Sequence, residues 1–157
     1  MKKFAIAIVA LLILPLNAWC AEDKPTDNMA ILSQKIKADK RFLVSSNMQL
    51  SEAEAAKFWP IYDDYQKDLH ALNERIGKAL QRYAAAYNAG PVKDEDAQWL
   101  INESLMIKKE ESKLLDSLAT RLGKVLPPPK VARYLQIERK IRAVIDYQLA
   151  DQIPLVQ

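Results

Sequence analysis

The sequence predicts an all-α protein of four helices. Apolar residues recur every three or four positions through several long stretches, which is the period of an amphipathic helix. No stretch alternates convincingly between apolar and polar residues as a half-buried strand would, and three glycines in 157 residues are too few for many tight turns. Because some stretches are very long, we expect a long helical hairpin that forms an elongated homodimer.

Residues 1–20 have the pattern of a secretory signal peptide. Two lysines precede an apolar run of eleven residues, Phe4 to Leu14. As a helix this run would be about 16 Å long, roughly half of a bilayer core, so we do not expect a membrane-spanning anchor. We expect export across the inner membrane to the periplasm, with cleavage after Cys20. Lipidation of Cys20 is the alternative, and Trp19, a large residue directly before the cysteine, argues against it.

Cleavage would leave residues 21–157 as a single domain without cysteine, which disulfides cannot stabilise. Its formal charge would be +1, from 21 basic and 20 acidic residues, compared with +3 for the whole chain. The basic character therefore comes mainly from the signal peptide, and we expect no nucleic-acid partner and no stable membrane insertion. One histidine and no catalytic motif in the chain predict a protein that is not an enzyme and has no cofactor.

The first two helices are predicted over about Asp27–Val44 and Ser51–Asn88. Ser45, Ser46 and Asn47 are expected to end the first helix. Leu50, Ser51 and Glu54 have the form of a capping box, in which Ser51 caps the second helix and Glu54 bonds back to it. The apolar stripe of the second helix then contains nine members: Phe58, Tyr62, Tyr65, Leu69, Leu72, Ile76, Leu80, Tyr83 and Tyr87.

The third helix is predicted to start at Asp94, where three acidic residues suit a helix N-terminus, and to end before Pro127. The fourth is predicted to begin within the three prolines 127–129 and to run to about Ala150. The apolar residues assigned to the third helix are Leu100, Ile101, Leu105, Leu115, Leu118, Leu122 and Val125. Those of the fourth are Val131, Tyr134, Leu135, Ile141, Ile145 and Leu149.

The starts of the second and fourth helices match at an offset of 76 residues. Leu50 aligns with Leu126, and Phe58 aligns with Tyr134. In this respect the chain resembles the Spy/CpxP family of exported helical proteins, which is named for paired LTxxQ motifs. Residues 50–54 (LSEAE) are a conservative variant of that motif, whereas residues 126–130 (LPPPK) keep only the leucine.

The stretches FWPIY at 58–62 and VARYLQIE at 131–138 also resemble an uncharacterised periplasmic branch of this group. The resemblance covers about residues 27–150. It implies a cradle-shaped dimer of helical hairpins that acts as an ATP-independent chaperone or an envelope-stress adaptor. Its partners would be unfolded or stress-signalling envelope proteins.

The distribution of charge suggests a surface for such partners. Residues 52–75 carry a net charge of −3 and residues 124–142 a net charge of +5. These halves can attract each other within the fold, or the basic half can bind other proteins beside apolar residues. The candidate client surface consists of Trp59, Lys130, Arg133, Arg139 and Arg142.

Two other functions remain open. Some relatives in the family respond to metals, and His70 with Glu74 one turn later is a weak candidate for a metal site in a metal-responsive periplasmic sensor or resistance accessory. Two side chains are too few ligands, so we expect no metal site within one chain. The other alternative is a structural envelope protein without clients.

Overall fold

The computed structural model describes residues 39–157, and within them it confirms the all-α prediction. These residues form four helices and no strand: α1 (39–48), α2 (Glu52–Ala89), α3 (Asp94–Gly123) and α4 (Pro128–Gln152). The predicted signal peptide, the cleavage site at Cys20 and the predicted start of the first helix lie outside the described residues.

The predicted end of the first helix was wrong. The helix continues past Val44 through the polar residues 45–47 to Met48. The hydroxyls of Ser45 and Ser46 donate to the carbonyl of Phe42, one turn earlier, so these side chains bond to the helix that contains them. Val44 and Met48 are fully buried, which favours continuing the helix across the polar residues.

α2 begins and ends as predicted, within one residue. It continues through Pro60, which lies beyond the first turn, and reaches 38 residues. After its last residue the chain turns at Gly90, whose φ of 133° is strained for any residue with a Cβ. α3 starts at Asp94, with the predicted acidic residues in its first turn, and α4 starts within the three prolines.

Ion pairs show how the helices lie relative to one another. Arg82 pairs with Asp96 and Arg121 pairs with Asp64, so α3 runs back along α2. Arg142 of α4 pairs with Glu111 of α3. Glu138 of α4 contacts Gln66 of α2, and Arg142 contacts Asn73, so these contacts advance along α2 and α4 in the same direction. α4 is therefore antiparallel to α3 and parallel to α2.

The larger core lies where α1, the first half of α2, the end of α3 and the start of α4 meet; we call this region the base. Phe58, Leu122 and Tyr134 are fully buried there. The other buried members are Val44, Met48, Tyr62, Tyr65, Leu69, Leu118, Leu126 and Val131. A smaller cluster of Leu72, Ala79 and Ile107 lies between α2 and α3 toward the other end, which we call the distal end.

Two apolar residues assigned to the stripe of α3 face solvent instead. Ile101 is 52% exposed and Leu105 is 65% exposed, whereas Ile107 is buried. The first half of α3 packs against α2 through Glu103 and Ile107, one turn apart, and this leaves Ile101 and Leu105 on the outer side. Of the helices in the described part, none is long and apolar enough to cross a membrane.

Candidate client-binding surface

The start of α2 has both hydrogen bonds of a capping box. The backbone N–H of Glu54 donates to Ser51 Oγ over 3.3 Å, and the backbone N–H of Ser51 donates to Glu54 Oε2 over 2.8 Å. The start of α4 has no such side-chain cap. Instead, Lys130 donates from Nζ to Glu54 Oε2 and to the carbonyl of Gln49. The hydrogen bond from Lys130 lowers the pKa of the Glu54 carboxyl.

The two similar helix starts lie side by side. Lys130 is 76 residues after Glu54, which is the offset of the internal match, and the matched residues Phe58 and Tyr134 are also in contact. The ring centroids of that pair are 5.0 Å apart and the rings are nearly perpendicular, a favourable edge-to-face arrangement. The weaker second motif therefore supplies a basic partner for the first motif rather than a second cap.

Trp59 lies at the edge of the aromatic cluster and is partly buried. Its ring packs edge-on against Phe58 and Tyr62. The guanidinium of Arg41 lies over the Trp59 ring, 4.1 Å from the ring centroid, and also pairs with Asp63 over 2.6 Å. Trp59 thus binds α1 to α2, and only part of its surface is free for a client.

A buried polar network at the base was not found by sequence analysis. Glu138 is 4% exposed and accepts hydrogen bonds from Lys40 Nζ at 2.9 Å, Tyr134 Oη at 2.8 Å and Gln66 Nε2 at 3.2 Å. Lys40 Nζ also donates to Gln66 Oε1. Burial lowers the pKa of the Lys40 ammonium, and the neighbouring Glu138 carboxylate opposes that shift. One network therefore joins α1, α2 and α4.

This network leaves almost no signal in the sequence. The only sign is that Glu138 is the single acid in the basic stretch 124–142 and follows Tyr134 by one helical turn. Its distant partners, Lys40 and Gln66, carry no pattern that links them to it.

The basic residues of the predicted client surface have different environments. Arg142 is mostly used within the fold, because Nε pairs with Glu111 at 2.6 Å and both terminal nitrogens donate to Asn73 Oδ1 at 3.2 Å. Lys130 is held by Glu54. Arg133 is exposed and makes one long hydrogen bond, 3.5 Å, to the carbonyl of Asn47, while Arg139 is exposed. Two of the four basic side chains are therefore used within the fold, and of these two only Lys130 pairs with an acid of residues 52–75.

Exposed apolar side chains lie on α1, the helix that Arg133 contacts. Between Lys40, which contacts Glu138, and Asn47, which contacts Arg133, α1 exposes Phe42 and Leu43. Phe42 is 74% exposed, which is unusual for a residue of its size. These three side chains, Phe42, Leu43 and Arg133, form what we call the α1–α4 surface.

The metal candidate is an exposed pair on α2. His70 Nε2 lies 3.5 Å from Glu74 Oε1, and both side chains are more than half exposed. Across residues 39–157 no group of three or more histidine, cysteine, aspartate or glutamate side chains is placed to hold a metal ion. Two ligands on one helix turn do not complete a site.

The chain matches no protein-family model, no curated protein and no solved structure with which it was compared. The resemblance to the Spy/CpxP family therefore rests on the short motifs alone and stays a prediction.

Proposed function

We propose that this protein is a non-enzymatic, helical protein-binding module that holds unfolded or stress-signalling proteins of the bacterial envelope. The observation that carries the proposal is the α1–α4 surface, where Phe42 and Leu43 are exposed on α1, the helix whose Asn47 carbonyl accepts a hydrogen bond from Arg133. Large apolar side chains give short-lived contacts with many sequences, and a neighbouring positive charge speeds the encounter with acidic segments. Such a surface suits weak binding of varied clients.

The base of the molecule supports this use of the surface. Val44 and Met48, on the inner side of α1, are fully buried, while Phe42 and Leu43 point outward from the same helix. The Lys40 network and the Arg41 contact to Trp59 fix this helix on α2 and α4. The exposed apolar residues are therefore held on a firmly packed support, which favours a binding surface that keeps its shape.

The proposal also includes location in the periplasm and assembly into a homodimer of helical hairpins. They rest on the signal-peptide pattern, on the length of α2 and on the resemblance of residues 50–54 to the LTxxQ motif. A 38-residue helix is about 57 Å long, which is longer than the diameter of a compact domain of this size. A second copy would help to cover its apolar neighbours.

The test is suppression of aggregation of a chemically denatured model protein, without ATP. We expect the wild type to delay aggregation at molar ratios near one. Phe42→Ser and Arg133→Glu should each weaken the effect several-fold, and the effect of Arg133→Glu should shrink at high salt because exposed charges are screened beyond about 8 Å at physiological ionic strength.

Matched control variants come from the outer side of α3. Leu105→Ser removes another exposed apolar residue, and Lys109→Glu reverses an exposed charge. Both should retain wild-type activity. Arg142→Glu is unsuitable as a surface variant because Arg142 is paired with Glu111. Wild-type protein that never delays aggregation would refute the chaperone function and favour the structural alternative; equal losses in the control variants would refute the α1–α4 surface.

A further inference from the structure

The outer face of α4 carries a stripe of four exposed residues in its C-terminal half. They are Lys140, Val144, Tyr147 and Asp151, with Val144 53% exposed and Tyr147 74% exposed. None of their side chains makes a hydrogen bond or an ion pair with another residue of the part that the structure describes. The stripe is therefore a helix face without a partner in the described chain.

The stripe is symmetric along the helix. Its members are separated by four, three and four residues, the spacing of a seam between two packed helices. The midpoint of the stripe falls between positions 145 and 146. Val144 and Tyr147 are equally far from it, and so are Lys140 and Asp151. The two ends carry opposite charges. A second copy laid antiparallel would place Lys140 opposite Asp151 and Val144 opposite Tyr147, twice each.

We propose that two copies of this chain associate through this stripe, with their α4 helices antiparallel. A parallel arrangement would place like charges together, so charge complementarity selects the antiparallel one. Ala143 and Ala150 are also exposed on α4 and are small enough to let two helices approach closely. The inference rests on the homodimer in the proposed function and adds its contact surface.

The size of the stripe sets the strength of the contact. Its eleven helical steps extend over about 16 Å, a short seam at the lower end of specific protein interfaces. A weak, reversible dimer with a dissociation constant in the micromolar range is the expected result, so the association depends on protein concentration.

Charge exchange tests the arrangement. Sedimentation of the purified wild type from about 1 to about 300 μM brackets a micromolar dissociation constant and should show a monomer–dimer transition. Lys140→Asp places two acids opposite each other in each half of the contact, and Asp151→Lys places two lysines there. Each variant alone should dimerise at least tenfold more weakly, and the double variant should regain wild-type association.

Mixing the two single variants is the sharpest arm. In a heterodimer each Asp at position 140 meets a Lys at position 151, and each Lys at position 140 meets an Asp at position 151. The mixture should therefore associate at concentrations where each variant alone is monomeric. Lys109→Asp, at an exposed lysine on α3, is the matched control and should leave the dimer unchanged.

A wild type that stays monomeric throughout the range would overturn the proposal. So would a dimer that neither single variant weakens, because its contact would lie elsewhere, or single variants that weaken it without recovery in the mixture. If a single variant loses helicity by circular dichroism, the double variant decides instead. A dimer that forms through this stripe but does not delay aggregation would refute the chaperone function and leave the contact surface standing.

Discussion

The base and the distal end of this molecule are held together by different interactions. At the base, aromatic rings are packed edge to face around fully buried Phe58 and Tyr134, and a buried polar network joins three helices. At the distal end, the buried cluster is small, and partly exposed charges connect α2 to α3. One end is thus stabilised mainly by burial and the other mainly by ion pairs.

Arg75 and Arg82 are the main connections at the distal end. Arg75 is held by Glu103 at 2.5 Å and by Glu110 at 2.7 Å, and these hydrogen bonds raise the pKa of its guanidinium. Arg82 lies over the Trp99 ring at 4.1 Å and pairs with Asp96. Exposed ion pairs contribute little stability each, whereas burial of large apolar side chains contributes much more. We therefore expect the distal end to open first.

The largest difference between the two ends should come from removing an aromatic ring at the base. Phe58 is fully buried, so Phe58→Ala should lower the free energy of unfolding by about 3–5 kcal/mol. Leu105→Ala, at an exposed site on α3, should change it by less than about 0.5 kcal/mol. Urea unfolding followed by circular dichroism measures both. A small loss for Phe58→Ala would mean that the base is not the stability centre.

Breaking the buried network should have the next largest effect. Lys40→Met leaves the Glu138 carboxylate without its cationic partner and should cost about 3 kcal/mol. In the double variant Lys40→Met/Glu138→Leu no buried charge is left unpaired, so part of this loss should return. Urea midpoints of the single and double variants form the test, and additive losses would show that the two side chains do not act as a pair.

Removing the cap of α2 should cost less. Ser51→Ala deletes the acceptor for the backbone N–H of Glu54 and should lower the free energy of unfolding by about 1 kcal/mol. Glu54→Ala should be at least as harmful, because Glu54 also holds Lys130 of α4. Thermal melting of the two variants measures this order. A smaller effect for Glu54→Ala would show that its contact with Lys130 contributes little.

Lowering the pH should have the smallest effect on stability, and this effect should differ between the two ends. The pKa of Glu54 at the base is lowered by its hydrogen bond from Lys130, and the pKa of Glu103 at the distal end by its hydrogen bond from Arg75. For a carboxyl whose folded pKa lies below its ordinary value of 4.5, the stabilisation is present above pH 4.5. It is lost as the pH falls below that value.

Hydrogen exchange between pH 7 and pH 3, corrected for the intrinsic rate, locates the acid effect. We expect protection at the start of α3 to fall before protection at the start of α2, because fewer buried side chains support the distal end. Glu103→Gln should make the distal end less sensitive to acid and leave the base unchanged. Protection lost in both ends at once would show that the molecule unfolds as a single unit.

Sequence analysis predicted the parts of the fold that local pattern controls. The bounds of α2 followed from the capping box and from Gly90, and the start of α4 followed from the prolines. The end of α1 was missed because burial of Met48 outweighed the polar residues before it. The apolar spacing of α3 placed Ile101 and Leu105 in the apolar stripe, but both are exposed. Helical spacing alone does not say which neighbouring helix covers which face.

The candidate site was predictable only in outline. The excess of positive charge in residues 124–142 was visible in the sequence, but the internal pairing of Arg142 with Glu111 depends on how α4 packs against α3. Phe42 gave no signal at all, because the sequence alone does not show which apolar residues of α1 face the other helices.

The buried tyrosines give the base a built-in optical reporter. Burial raises the pKa of the Tyr62, Tyr65 and Tyr134 hydroxyls above the ordinary value of 10, so these rings stay un-ionised in the folded base when free tyrosine already forms phenolate. Because the folded state favours the un-ionised tyrosine hydroxyls, the folded protein loses stability as the pH rises above 10. Phenolate absorbance from these buried rings should therefore appear only when the base unfolds in alkali, at a pH above that at which free tyrosine ionises.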